Sequence, residues 1–208
     1  RQMSIDEDRI YVMGFSDGGE MAQRLICEAP DRFAAAATVA GLLAPEFEQN
    51  CLLPRPIPII AFRGMNDQIV GFQGGTNRAG NSTLSASATL NFWRNQNNCQ
   101  GPITTENISS ENSCQVDVNC DGGVEVRLCV VEATETHTFR HALFDNEAGI
   151  DLRQISLDFM RPFVRPKVGF NIEAGLTGAW FDPGNPGQGL LVEPIPQDQS
   201  FFAAWFTF

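Results

Sequence analysis

Apolar residues along this chain fall into short runs whose period changes repeatedly, as alternating strands and helices require. Residues 9–13, Arg-Ile-Tyr-Val-Met, read as a buried strand of β-favouring types. Residues 18–26 read as a helix, with Met21 and Leu25 one turn apart. Residues 33–41 form a continuous apolar run closed by Gly41, and residues 57–62 a second run without alternation. The second suits a strand covered on both faces of a parallel sheet; the alanines of the first leave a helix open, while Pro30 and Gly41 favour a buried strand. Helical spacing returns over residues 82–95, where Ala86, Leu90 and Trp93 share a face. It returns again over residues 150–163, through Leu152, Ile155, Phe159 and Phe163. Residues 124–131 alternate and then turn apolar, which predicts a further strand. Three segments read as loops: 45–58, marked by prolines, 99–122, rich in Asn, Ser, Cys and Gly, and 132–149, which holds both histidines. The pattern predicts an α/β fold, a mostly parallel sheet with flanking helices.

Past residue 163 the texture changes. Pro166 and Gly169 mark a linker over residues 164–170. From residue 171 the chain is aromatic and glycine-rich, with strand-length pieces at 177–181, 189–193 and 201–208. Asp182-Pro183-Gly184-Asn185-Pro186-Gly187 separates the first two as a turn. A domain over residues 1–163 is therefore expected, followed by a partial antiparallel β module over 171–208. Three strands rarely stand alone without a packing partner.

Charge and cysteine content narrow the setting. The net charge is −11 and no Lys/Arg-rich run occurs, so nucleic acid and anionic membrane surfaces are poor partners. No apolar stretch approaches the about 20 residues of a membrane-spanning helix. The six cysteines form no paired C-x-x-C units and only two histidines accompany them, which argues against a zinc site. No other metal or cofactor signature is present. Disulfides in an oxidising, secreted or periplasmic setting fit instead. Cys114 and Cys120 bracket a short polar loop and are expected to pair locally, with Cys27–Cys51 and Cys99–Cys129 as the other bridges.

The chemistry centres on Gly14-Phe15-Ser16-Asp17-Gly18, a G-x-S-x-G between the first strand and the first helix. A strand, a sharp glycine-flanked turn and a helix make the setting of a nucleophile elbow, with the serine in a strained conformation at the tip. The Asp17 backbone amide would then face a developing oxyanion. A serine nucleophile needs a base, and the base an orienting carboxylate. Asp67 follows the strand at 57–62 and His137 follows the strand at 124–131, in the chain order Ser, Asp, His. His141 competes with His137 for the base, and Asp145 or Asp151 with Asp67 for the acid, though neither of these follows a strand.

Residues 8–22, followed by Cys27 and Phe33-Ala34-Ala35, resemble the secreted polyhydroxybutyrate depolymerase and feruloyl esterase-like family of α/β-hydrolases. Residues 58–70, with Arg63-Gly64-Met65-Asn66-Asp67, resemble that family's acid-bearing strand and loop, usually written with His-Gly-Thr. The resemblance implies an α/β-hydrolase fold, a catalytic Ser16 and an orienting Asp67. The family's histidine segment, G-x-x-H-x-W, is matched by Thr134-Glu135-Thr136-His137-Thr138-Phe139, without its glycines and with Phe139 for the tryptophan. In that fold several strands precede the nucleophile and one of their loops carries the second oxyanion donor. The elbow here lies near Arg1, which implies that an N-terminal part, with any signal peptide, is missing. Residues 178–189 resemble a G-x-W-[FY]-[DN]-P…G-Q-G module appended to secreted bacterial proteins. The expected activity is hydrolysis of carboxylic esters, in a polyester or in feruloyl or acetyl esters of polysaccharide. A peptidase on the same fold and a catalytically silent binding protein are the alternatives.

Overall fold

The computed structural model describes residues 6–41, 43–76, 80–131 and 150–166, and the backbone of residues 178–181, 188–195 and 200–207. In chain order these form β1 (Tyr11–Phe15), α1 (Asp17–Glu28), β2 (Ala35–Val39), α2 (Pro45–Asn50) and β3 (Ile59–Gly64). Next come the two-residue strands β4 (Gly75–Thr76) and β5 (Ser82–Thr83), then α3 (Ala86–Gln96), β6 (Thr104–Asn107) and β7 (Ser113–Asp117). The series ends with β8 (Val126–Val131), α4 (Leu152–Met160), β9 (Gly178–Phe181), β10 (Gln188–Ile195) and β11 (Ser200–Thr207).

The main sheet runs β1-β2-β3-β8-β7-β6. Its first four strands are parallel, and β7 and β6 extend it antiparallel. Every residue of β2 and β3 is buried. The two-residue period sends their side chains alternately to two cores. Ala35, Ala37, Val39, Ile60 and Phe62 pack on one face with Leu152 and Met160 of α4. Ala36, Ile59 and Ala61 pack on the other with Ile26 of α1 and Ala86, Leu90 and Trp93 of α3. Helices cover both faces, so the strands are apolar without alternation.

Four expectations change. Segment 45–58 opens with a short helix, because Pro45 occupies the first turn, where its missing N–H costs nothing. Segment 99–122 holds a hairpin, β6 and β7, where a loop was expected. On α1 the buried residues are Gly19, Ala22, Gln23 and Ile26, while Met21 is 54% exposed. Gln23 sits inside because its amide oxygen accepts from Trp93 Nε1 at 3.0 Å and its amide nitrogen donates to the Gly19 carbonyl.

The fourth concerns the disulfides. Cys27–Cys51 forms as expected, joining α1 to the end of α2. The other two are Cys99–Cys120 and Cys114–Cys129, not Cys114–Cys120 and Cys99–Cys129. Strand register is the reason: Cys114 of β7 lies directly opposite Cys129 of β8. Cys120, beyond β7, then meets Cys99 at the end of α3.

The chain divides into two compact units, Arg1–Pro166 and Lys167–Phe208. In the second, β9, β10 and β11 form an antiparallel sheet in the order β11-β10-β9, with Leu190 between Trp180 and Trp205 in register. The expected turn at 182–187 lies outside the described residues.

Candidate active site

Ser16 stands between β1 and α1 with φ 53° and ψ −122°, a left-handed conformation that L side chains rarely adopt. Its surroundings hold it there. Its N–H donates to the Val39 carbonyl at 2.9 Å, and its carbonyl accepts from Gly19 N at 2.8 Å and Glu20 N at 3.1 Å. The chain can turn this sharply because Gly14 has no side chain: a Cβ there would overlap the Gly18 carbonyl. Gly19 is equally constrained, since its Cβ would lie 2.8 Å from the Gly41 Cα. Gly18 is different, with nothing within 4 Å of its Cβ position. The close approach in this motif therefore falls on Gly14 and Gly19. Ser16 caps the N-terminus of α1, so the positive end of the helix faces any charge developing at its hydroxyl.

Asp67 leaves the carboxyl end of β3 and is 6% exposed. Its Oδ1 accepts from the amides of Ile69, at 2.8 Å, and Val70, at 2.9 Å. These two bonds fix the carboxylate's direction from within its own loop. The loop is also tied to the neighbouring strand, because Met65 N donates to the carbonyl of Val131, the last residue of β8. Ser16 and Asp67 thus follow strands separated only by β2, a lateral spacing of roughly 10 Å at the usual strand separation. β8, the strand that precedes the expected histidine segment in the chain, pairs with β3 on the side away from β2. His137, His141 and Asp145 lie outside the described residues. Asp151 is placed, and it serves α4 instead: its Oδ1 accepts from Arg153 N at 3.0 Å and Gln154 N at 3.1 Å as the helix cap. Those amides hold its carboxyl below the ordinary carboxylate value.

One charged residue here carried no prior expectation. Arg63, next to last in β3, is 3% exposed. Its Nη1 donates to the Gly41 carbonyl. Burial pushes its guanidinium down to about 10, against the opposing pull of Asp67. The signal for it was a lone cation at the end of an otherwise apolar run.

Elsewhere, Cys99, Asp117 and Cys120 place two sulfurs and a carboxylate together. The two sulfurs are bonded to each other, and Asp117, fully buried, pairs with Arg94 Nη2 at 2.8 Å. Among the described residues, no helix is long and apolar enough to cross a membrane.

A left-handed serine at a strand–helix turn, with a buried acid two strands away at the carboxyl end of the same parallel sheet, is the architecture of an α/β-hydrolase. Comparison with known proteins agrees. Residues 1–91 match the family described as phospholipase/carboxylesterase. The chain is 36% identical over 160 residues to feruloyl esterase B of Piromyces equi, covering 74% of this chain and 28% of that protein. It is 43% identical over 70 residues to the protein named "Putative esterase NocK" of Nocardia uniformis subsp. tsuyamanensis, covering 34% of this chain and 20% of that one. Over 73 residues it is 30% identical to the bifunctional acetylxylan esterase/xylanase XynS20E of Neocallimastix patriciarum, covering 35% and 10%. The chain has the α/β-hydrolase fold and is similar to esterases over these stretches. It spans under a third of the length of these curated relatives.

Proposed function

We propose that the protein is a secreted serine esterase, with Ser16 as nucleophile, His137 as base and Asp67 as the orienting acid. The observation that carries this reading is the left-handed backbone of Ser16, two strands from the buried Asp67 at the carboxyl end of the sheet. Ser16 Oγ attacks the ester carbonyl as the imidazole takes its proton, and the Asp17 amide donates to the oxyanion. The imidazolium then protonates the departing alcohol. Water, deprotonated by the same imidazole, releases the acid from the acyl-enzyme and restores the serine. Asp67 holds the imidazole tautomer throughout. The acyl group is aromatic or short, and the ester is borne by a polysaccharide or a polyester; the relatives' names as feruloyl and acetylxylan esterases favour the former. Exposed Met65 and Ile69 flank Asp67 and offer apolar contact at that end. Three disulfides favour an extracellular setting. Residues 1–163 supply the catalytic domain and residues 171–208 an appended β module.

The test compares wild type with Ser16→Ala on p-nitrophenyl butyrate and methyl ferulate. Turnover is expected to fall to the background rate on both, and a fluorophosphonate should label wild type at Ser16 alone. His137→Ala should abolish turnover and His141→Ala should spare it. Retained turnover in Ser16→Ala removes this serine from the reaction.

A further inference from the structure

A guanidinium taken out of water is tolerated when acceptors meet its N–H groups, and Arg63 meets that condition only in part. Nη1 reaches the Gly41 carbonyl, while Nε and Nη2 have no hydrogen-bond partner among the described residues. Its own strand, Ile59, Ile60, Ala61 and Phe62, is apolar and buried, so packing alone gives no reason for a cation at this place. Two relations do give one. Gly41, which Arg63 holds, is the residue against which Gly19 of the elbow helix rests. Asp67, four residues on, is the charged side chain that acts on Arg63. Among the described residues, the neighbouring strand ends contribute no other charge, being Ala40 and Gly41 on one side and Val130 and Val131 on the other. From α1, Asp17 is exposed and Glu20 half-buried in the first turn.

We propose that Arg63 is a positioning residue for the acyl-transfer site. Its guanidinium braces the exit of β2 beneath Ser16, and its charge beside Asp67 sets the pH at which the triad becomes competent. This rests on the esterase reading above. A buried cation disfavours a second positive charge nearby, the imidazolium of the resting enzyme. That repulsion keeps the base neutral to lower pH. Losing the charge therefore moves the acid limb of the kcat/KM profile upward.

The experiment measures kcat and KM for p-nitrophenyl butyrate across pH in the native protein and in Arg63→Lys, Arg63→Gln and Arg63→Met, with thermal midpoints and fluorophosphonate labelling of Ser16 in parallel. In Arg63→Met and Arg63→Gln the acid limb should rise by about one pH unit, the lower end of what a neighbouring charge does. Their kcat should drop by roughly tenfold or more, with KM held within about twofold. Arg63→Lys keeps the charge without the planar fork, so its limb should stay in place while kcat falls partway. Should Arg63→Met fail to fold, Arg63→Gln against Arg63→Lys makes the same comparison. An unmoved limb in Arg63→Gln, with losses that merely follow the thermal midpoint, overturns the proposal while labelled Ser16 leaves the esterase reading standing. A wild type that neither turns over esters nor takes the label overturns both.

Discussion

Gly19 and Gly41 meet backbone to backbone: a Cβ on Gly19 would stand 2.8 Å from the Gly41 Cα. This contact seats the first turn of α1 on the exit of β2, directly behind Ser16, whose N–H is held by Val39. The geometry of the candidate nucleophile thus depends on two residues with no side chains.

Gly19→Ala should therefore destabilise the fold by about 1–3 kcal/mol, the usual cost of overpacking, and lower ester turnover by displacing Ser16. Gly18→Ala is the matched control. It adds a methyl into open space and improves helix propensity, so stability should be unchanged or rise by up to about 1 kcal/mol. Denaturant midpoints of the two variants decide the matter, and the reverse order would refute the packing argument.

The strain at Ser16 has its own signature. Glycine adopts φ 53° freely and alanine does not. Both Ser16→Gly and Ser16→Ala lack the hydroxyl, yet the glycine variant should be the more stable by about 1 kcal/mol. Equal midpoints in urea would mean that the backbone relaxes once the hydroxyl is gone.

At Asp67, charge and hydrogen bonding separate by substitution. Asp67→Asn keeps an acceptor for the Ile69 and Val70 amides, so the fold should hold while kcat falls by on the order of 10³–10⁴. Asp67→Ala strands both amides and should in addition cost about 1–3 kcal/mol. Calorimetry alongside kinetics distinguishes the two variants.

Asp151 governs a pH-dependent share of stability. Its carboxyl is held below the ordinary value by the amides it caps, so its contribution is present above the unfolded value. That contribution is lost as pH falls through the lower folded value. The midpoint gap between wild type and Asp151→Ala should be constant near neutrality and close in acid. A gap that persists unchanged below the carboxylate range would exclude the cap as its source.

How far these features were legible follows from where each residue's partners lie. β2 and β3 show in the pattern because strands covered on both faces must be apolar throughout, and β1 and β8 show as short runs of β-favouring residues with one better-covered face. β6 does not, because all four of its residues are exposed and a sheet edge tolerates polar side chains. The buried face of α1 is hidden in the sequence for a related reason. Its contacts are made by Gly19, Ala22 and the internalised Gln23, which carry little apolar signal, while Met21 faces out.

The order of Ser16 and Asp67 along the chain, each just past an apolar run, was determined by sequence alone, since the motif and the strand it follows are both local. The tertiary structure decided what depends on distant segments meeting. Strand register paired Cys114 with Cys129 rather than with its near neighbour Cys120. Close backbone approach made Gly19, and not Gly18, the constrained glycine. Burial at the end of β3 turned Arg63 from a loop-edge cation into an enclosed charge beside Asp67. Periodicity reports which face of an element is apolar, but which residues from elsewhere come to lie against it is settled only when the sheet assembles.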